Sequence, residues 1–321
     1  MLVELDQTTW NNRISQIRPI SMEEEDGFVK SLCRVFDLKA RYFVFEQKGS
    51  IRLSFLALCK GKAIVQPIHF YYSAFWIAPE LSQLHSMNFC TEFIGQLKKY
   101  FNCIDLRLPP QYSDIRPYLW NGFSVTNNYT YIKDLTRLNY SSSVQRNIKQ
   151  AQKLALSLRC ERLNEASEQL NADVFDALGT VPQKRKAQIA ALMRALDEQG
   201  LLRCFNCYAD TELLASQQVF LDFVNKKAYL VLLSRQTKQH GQNVHALLHH
   251  FLFEHLQSLG YLRLDLMGGD LRGIADFKTS LKADLQPHFT LKYRSSVANM
   301  AKMKQKLVDS LKKMVVRIGM A

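Results

Sequence analysis

The sequence contains no hydrophobic run long enough to cross a membrane as a helix. Its longest uncharged stretch, residues 63–79, is interrupted by Gln66, Pro67 and His69. That stretch is shorter than the ~20 apolar residues that a spanning helix needs. The N-terminal heptapeptide MLVELDQ also lacks the basic and apolar regions of a secretory signal peptide. We therefore expect a cytoplasmic protein without a transmembrane segment.

Cysteine is scarce and scattered, with 7 residues in a chain of 321. An odd number of cysteines, mostly among apolar neighbours, is typical of a reduced protein with small buried thiols. The one close pair, Cys204 and Cys207, lies in a strand-like run, where residues three apart point to opposite faces. A zinc half-site or a redox pair is therefore disfavoured at this position.

Several catalytic signatures are missing as well. His245 and His249 are spaced i, i+4, but no glutamate follows His245 in the metalloprotease pattern and no third ligand is evident. The sequence has neither a Gly-x-Ser-x-Gly motif nor a Walker phosphate loop. We therefore expect no metal site, no serine-hydrolase chemistry and no nucleotide hydrolysis of the P-loop type.

What the chain does have is an ordinary globular composition with a basic excess. Apolar residues make up 47% and charged residues 22%, and the length suggests about two domains. The 42 basic and 29 acidic side chains give a net charge of +13. Residues 137–159, with five basic and no acidic side chains, and residues 291–321, with eight and one, carry nearly all of that excess. Each segment could contact phosphates, an anionic membrane or an acidic substrate, or could simply form a solvated basic face.

The first half predicts strands over residues 41–78 with a hairpin turn at Lys60-Gly61-Lys62, a helix over about 86–100 and two further strands. The second half predicts a basic connecting helix over about 143–157, opened by the serines at 141–143. Further predicted elements of the second half are helices over 171–178, 183–199 and 244–259, a strand meander over 201–234, and strands over 261–269 and 288–294.

The two halves repeat one order of elements: helices, meander strands, helix, strand, short helix, strand. This order predicts an α/β (α+β) fold of two similar units, each with a mixed central sheet flanked by helices. We place the first unit at residues 1–138, the second at 139–296 and a basic amphipathic helix at 297–321. That terminal helix would either dock on the second unit or lie weakly on an anionic membrane.

Three stretches resemble the GNAT acyltransferase superfamily, and more narrowly the Fem-type aminoacyl transferases and their tandem-GNAT relatives. They are SSSVQRNIKQAQK at 141–153, LDLMGGDLRGIADFKTSLKADL at 264–285 and GFSVTNNYTYIKDL at 122–135. The resemblance implies two GNAT-like units and transfer of an acyl or aminoacyl group from acyl-CoA (for example acetyl-CoA) or aminoacyl-tRNA. One departure is Leu281-Lys282-Ala283, where the family usually has Phe-Gly-Ala.

The resemblance also implies where the donor binds. Phe277-Lys278 matches the Phe-Lys pair of the Fem-type enzymes, whose lysine lies near the reactive ester of the donor. Lys278 is accordingly our first catalytic candidate, with a solvated helix lysine as the alternative. The segment at the place of the GNAT phosphate loop retains only one fully matching glycine, and it would bind the donor or form a plain turn with Asn243 as N-cap. Its candidate donor-binding residues are Lys238, His240, Gly241, Gln242 and Asn243.

Other candidates follow from the residues themselves. Asp265 could orient or deprotonate an acceptor amine, or could form a salt bridge with Arg263. Gly268-Gly269 permits close approach of a ligand, or makes a turn. An aromatic run at 70–76 could line an acceptor groove together with these glycines and Phe277, or could be core. The residues of that run are Phe70, Tyr71, Tyr72, Phe75 and Trp76.

Together these features predict an N-acyltransferase whose acceptor is an amine, for example in a bacterial cell-wall precursor. A tRNA donor would contact the basic patch of Arg146, Lys149 and Lys153. The alternative is a non-catalytic protein of the same fold that uses its basic segments to bind nucleic acid or an anionic surface.

Overall fold

The computed structural model describes residues 1–236, 241–296 and 298. The first half contains, in chain order, β1 (Leu2–Leu5), α1 (Gln7–Ser15), a 3₁₀ turn (Met22–Glu24), α2 (Asp26–Phe36), β2 (Lys39–Gln47), β3 (Ser50–Lys60), β4 (Ala63–Ile64), β5 (Ala74–Ile77), α3 (Gln83–Tyr100), β6 (Cys103–Leu108), α4 (Arg116–Trp120) and β7 (Ser124–Asp134). The second half contains α5 (Ser142–Ala151), β8 (Leu156–Glu161), α6 (Glu165–Leu178), α7 (Gln183–Glu198), β9 (Leu202–Ala209), β10 (Glu212–Asp222), β11 (Lys227–Arg235), α8 (Gly241–Ser258), β12 (Arg263–Asp265), α9 (Arg272–Ser280) and β13 (Asp284–Arg294).

The described strands form one mixed sheet that runs through both halves, so the predicted α/β class is confirmed. Its order is β1-β2-β3-β4-β6-β13-β7-β12-β11-β10-β9-β8, and β5 pairs with β3 off this path. β13, the last strand of the second half, lies between β6 and β7 and is antiparallel to both. β7, the last strand of the first half, in turn pairs with β12 of the second half. The two halves are therefore joined by backbone hydrogen bonds across the middle of the sheet.

Hydrophobic packing joins the halves a second time. One buried cluster belongs to the first half and packs α3 on the sheet, and another belongs to the second half around α5 and α8. A third cluster combines Trp10 and Phe28 of the first half with Leu192, Phe220 and Val231 of the second. Because this shared core is buried between the halves, separating them would expose a large apolar area to water.

The basic connecting helix begins where the sequence predicts but ends earlier. Ser141 caps α5 by accepting a hydrogen bond from the amide of Val144. The helix ends at Ala151 instead of continuing to residue 157, because residues 156–161 pair with β9 as an edge strand. Lys153 consequently lies in the turn after the helix.

Two predicted strands are shorter than expected. The third strand of the first half keeps only Ala63–Ile64, since Pro67 and the left-handed His69 (φ 63°) interrupt the run. The strand predicted over 261–269 keeps only Arg263–Asp265, because Met267 (φ 53°) and Gly268 (φ 46°) turn the backbone away. Both departures place irregular backbone at the junction of the two halves. In the described part of the chain, no helix is both long and apolar enough to cross a membrane.

Candidate functional site

A cavity of about 610 Å³ opens where the two halves meet. Six carboxylates contribute to its wall, and we call it the acidic cavity. These are Glu23, Glu24, Asp134, Asp222, Asp265 and Asp284. Basic side chains at the same wall are Arg18, Lys227 and Arg263, and aromatic ones include Tyr72, Phe75, Trp76, Tyr112 and Tyr229.

Glu23 is one of two carboxyl groups at this cavity whose pKa is raised by burial, the other being Asp265. It lies on the 3₁₀ turn and is only 8% exposed. Burial raises its pKa to about 7, and the nearby charge of Asp222 raises it further. Asp222 ends β10 and accepts a hydrogen bond from the backbone amide of Met22, at 3.2 Å from Oδ2. Two carboxyl groups from opposite halves of the chain thus come together at the cavity.

The neighbouring Glu24, unlike Glu23, is neutralised by a basic side chain. Arg18 donates to both of its carboxylate oxygens, at 2.6 and 2.5 Å. Glu24 also receives the backbone amide of Ser21, which closes a capping box on the 3₁₀ turn. The arginine therefore satisfies Glu24, and Glu23 alone is held with a pKa close to neutral pH.

Asp265 ends β12 as predicted and is buried at the cavity wall. It accepts hydrogen bonds from the hydroxyl of Tyr72 (2.7 Å), the hydroxyl of Thr130 and the amide of Met267 (2.8 Å). Burial raises its pKa, although these three donors and the charge of Lys278 oppose the rise. These donors, rather than a salt bridge to Arg263, hold the carboxylate in place.

Lys278 lies on α9 and points back at the turn that follows β12. Its ammonium donates to the backbone carbonyls of Leu266 (2.8 Å), Met267 and Gly268 (2.5 Å). Burial lowers its pKa to about 8. A lysine ammonium has three protons, and here all three are taken by one loop, so Lys278 positions that loop instead of extending into solvent. Its predicted role beside a donor ester stays a prediction.

The neighbouring Phe277 faces away from the acidic cavity. Its ring packs on His249 and His245, with centroids 5.1 and 6.4 Å apart. Burial lowers the pKa of His245 to about 3 and that of His249 to about 4. His249 also contacts the amide group of Gln217, with 2.7 Å between the nitrogen atoms. Through these contacts, His245 and His249 pack in the hydrophobic core of the second half.

The two glycines after β12 differ in what surrounds them. A Cβ added to Gly269 would lie 3.1 Å from Tyr129 Cβ and from its carbonyl oxygen, and 3.1 Å from the ring of Tyr131. Gly268 has a positive φ of 46° and open space around it. Close packing therefore requires a glycine at position 269, and the positive φ favours a glycine at position 268.

The aromatic run is divided between core and cavity. Phe70 is buried in the core that the two halves share, whereas Tyr72, Phe75 and Trp76 also line the acidic cavity. The hydroxyl of Tyr71 donates to the carbonyl of Val231 on β11, at 3.2 Å. The two alternatives, core and groove lining, thus each hold for different residues of the run.

That contact lies where β11 no longer pairs with its parallel neighbour β12. β11 and β12 pair only through residues 227–229 and 263–265. Val231 lies just beyond this ladder, at an irregularity in the pairing of β11 with β10. Tyr71 of the first half therefore contacts β11 beyond the residues that pair with β12.

The candidate donor loop is only partly covered by the structure. Lys238 and His240 lie outside the described residues, as does the predicted terminal helix beyond residue 298. Gly241, Gln242 and Asn243 form the first turn of α8, so Asn243 is not the N-cap of this helix. The basic patch of Arg146, Lys149 and Lys153 borders a shallow depression on the surface of α5.

Sequence reasoning missed Glu23 and Asp222. The available signal was the acidic run at 23–26 in an otherwise basic chain, together with an aspartate at the end of a hydrophobic strand. Neither feature shows that the two groups converge, because they are about 200 residues apart in sequence and meet only when the halves pack together.

The comparisons with known proteins agree with this architecture. Residues 139–279 match the family model of the acetyltransferase (GNAT) domain. No curated protein matches the chain significantly. The structure is similar to that of FemX, with a TM-score of 0.63 and 10% identity over 90% of this chain and 96% of that one.

Two further structures share the fold. L-PGS from Bacillus licheniformis has a TM-score of 0.52 and 13% identity, covering 87% of this chain and 95% of its own. A tandem GNAT protein from the clavulanic acid biosynthesis pathway has a TM-score of 0.54 and 10% identity, covering 91% and 97%. At these identities the similarity concerns the fold.

Proposed function

Because the chain carries a GNAT acetyltransferase domain in residues 139–279, we propose that it is an N-acyltransferase whose acceptor amine binds in the acidic cavity. The observation that carries this proposal is the pairing of buried Glu23 with Asp222 at the cavity wall. An alkylamine is protonated at neutral pH, with a pKa of about 10. A wall of carboxylates attracts such a cation by its charge.

The amine must lose a proton before it can attack a carbonyl. A general base is most effective when its pKa lies near the working pH, and burial places Glu23 there, at about 7. The nitrogen–carbon bond then forms as the bond from the acyl carbon to the leaving sulfur or oxygen breaks. Glu23 takes the first proton of the ammonium and returns it to solvent. The second proton leaves the nitrogen as the amide forms and passes to the leaving group, which departs as the coenzyme A thiol or the tRNA hydroxyl.

Asp265 and Tyr72 would position the acceptor in this scheme. Tyr72 donates to Asp265, and Thr130 and the amide of Met267 complete the carboxylate's hydrogen bonds. Such a fixed carboxylate can orient an ammonium or hydroxyl group without moving. Lys278 supports the arrangement indirectly, since it holds the turn that follows Asp265.

The donor is acyl-CoA or aminoacyl-tRNA. The GNAT domain supports acyl-CoA, and the basic patch on α5 supports contacts to tRNA phosphates. A FemX-like fold is consistent with a cell-wall precursor as acceptor. Weak membrane contact through residues 297–321 would suit a lipid-linked acceptor and belongs to the same proposal.

One observation favours a second candidate, a non-catalytic binding protein of this fold. The hydroxyl of Tyr71 already donates a hydrogen bond to the carbonyl of Val231 on β11. A donor arm that extends along β11 would have to displace it. A chain that no longer uses a donor could keep this contact permanently.

A transfer assay tests the two candidates. The full chain is incubated with radiolabelled acetyl-CoA or with charged tRNA, each with a panel of primary amines, and amide products are separated and counted. We expect label in an amide with one donor class and stabilisation by that donor in a thermal-shift screen. Labelled product only with acetyl-CoA would remove the tRNA donor. Neither transfer nor stabilisation with any donor would favour the binding protein.

A further inference from the structure

A second pocket, of about 180 Å³, shares Tyr72 with the acidic cavity but is lined by different side chains. We call it the Arg107 pocket. It lies on the three strands that join the halves, with Arg107 on β6, His288 on β13 and Asn128 on β7. The register pairs His288 with Asn128 and places Arg107 opposite Thr290. Alternation along the strands therefore collects these polar groups on one face.

Arg107 has no acidic partner among the described residues, and its Nε atom is buried without a hydrogen bond. Asp105, two residues earlier on the same face of β6, is already paired with Arg294 at 2.6 Å. The backbone of Arg107 is fixed by Ser73, whose hydroxyl accepts from its amide at 3.0 Å. The side chain as a whole is half-buried, and a partly desolvated guanidinium without a counter-ion gains from a ligand that supplies negative charge.

His288 provides a second unpartnered group in the same pocket. It is 8% exposed, and its Nδ1 atom is buried without a hydrogen-bond partner. Its ring stands edge-on to Tyr72, with centroids 5.5 Å apart. Asp270 also lines the pocket, but its carboxylate accepts from the backbone amide of Tyr129 at 3.1 Å and its side chain lies at the exposed rim.

We propose that Arg107 and His288 bind an oxyanion group of a small ligand, either a carboxylate or a phosphate. The planar fork of a guanidinium matches two oxygens of such a group, and an imidazole can donate a further hydrogen bond. A pocket of this size admits one anionic group with a short chain, and not a nucleotide. The site does not depend on acyl transfer, so it can be tested even where no transfer is detected.

Thermal unfolding of the full chain with simple anions tests the proposal. Sodium acetate and inorganic phosphate are compared with sodium chloride at equal ionic strength. We expect one or both oxyanions to raise the unfolding midpoint, by on the order of 2 °C at ten times the dissociation constant, while chloride does not. Acetate alone would identify a carboxylate site, and phosphate alone a phosphate site.

Arg107→Met should abolish this rise without lowering the midpoint of the ligand-free protein, because the half-buried guanidinium has no salt bridge to lose. Arg116→Gln, at an exposed arginine paired with Asp114, is the matched control and should keep the rise. The imidazole resonances of His288 in the wild-type protein provide a readout that needs no variant, and they should move on titration with the same anion. Equal effects of chloride and both oxyanions, an unchanged rise in Arg107→Met, or unmoved His288 resonances would each overturn the proposal.

Discussion

The acidic cavity and the Arg107 pocket share the ring of Tyr72, yet their charged side chains have opposite signs. In the first, Glu23 and Asp222 lie together without a basic side chain to neutralise them as Arg18 neutralises Glu24. In the second, Arg107 has no salt-bridge partner among the described residues, since Asp105 is paired with Arg294 and Asp270 lies at the exposed rim. Buried ionisable groups are normally paired, so both regions leave charge for a ligand to satisfy. The difference indicates an amine on one side of Tyr72 and an anion on the other.

The largest expected effect concerns Glu23. If it is the general base, Glu23→Gln should lower kcat/KM for the acceptor amine on the order of a hundredfold or more, with binding at the Arg107 pocket unchanged. The wild-type rate should rise with pH through about 7, the pKa of Glu23, and this rise should disappear in the variant. Glu198→Gln, at an exposed glutamate, is the control. A variant with wild-type rate and pH profile would exclude Glu23 as the base.

The same substitution should change stability in a direction fixed by linkage. The folded pKa of Glu23 lies above the ordinary value of 4.5, so the folded state binds more protons than the unfolded state between about pH 4.5 and 7. Its contribution to stability therefore declines as pH rises across that window. The effect of Glu23→Gln on the unfolding free energy should therefore be more favourable above pH 7 than at pH 4.5, by on the order of 3 kcal/mol. Denaturant unfolding at the two pH values measures this difference.

Lys278→Met tests the segment that connects the two regions. The sequence alone predicts that methionine is tolerated here, because Ile274 and Phe277 would pack the helix. The structure corrects this for Ile274, which is 44% exposed, whereas Phe277 does pack on His249. In the structure, the ammonium satisfies three carbonyls of the turn between Asp265 and Gly269. We now expect a loss of about 2–3 kcal/mol in unfolding free energy, along with loss of transfer. Unchanged stability with abolished transfer would instead support direct contact of Lys278 with the donor.

Tyr72→Phe removes the side chain that both regions share. Asp265 loses one of its donors while Thr130 and the amide of Met267 remain. A hydrogen bond to a charged group contributes about 1.5–3 kcal/mol, so unfolding in denaturant should show a loss in that range. Thr130→Val is the matched variant that removes another donor to the same carboxylate. If Tyr72→Phe costs nothing while Thr130→Val does, Tyr72 does not hold Asp265.

The smallest effect is expected from two glycines near the Arg107 pocket. Gly269→Ala places a methyl group 3.1 Å from Tyr129 and Tyr131 and should destabilise the protein by about 1–3 kcal/mol. Gly273→Ala, inside α9 with open space around it, should stabilise it by about 0.5–1 kcal/mol. Thermal unfolding of both variants measures the contrast. Equal effects of the two substitutions would show that the turn at Gly269 relaxes easily.

The sequence was sufficient for most elements and for part of the site. Hydrophobic periodicity predicted the helices and meander strands, because the local spacing of apolar residues shows which face of an element is buried. The residues themselves led to Asp265 and family resemblance to Lys278, and the structure places both at the turn after β12. Local patterns predicted neither that Lys278 bonds backbone carbonyls nor that the helix stops at Ala151 and residues 156–161 form an edge strand. In each case the partner group belongs to another part of the chain.

What only the tertiary structure decided is the convergence of the two halves. Composition and order of elements predicted the α/β class, which the structure confirms, since strands and helices alternate in each half. The insertion of β13 between β6 and β7 could not be read from them, because strand pairing depends on backbone hydrogen bonds that any sequence can form. That insertion places His288 beside Arg107, and the packing of the shared core places Asp222 beside Glu23. Both sites therefore owe their chemistry to contacts between residues more than 150 positions apart, whose electrostatic environment exists only in the folded chain.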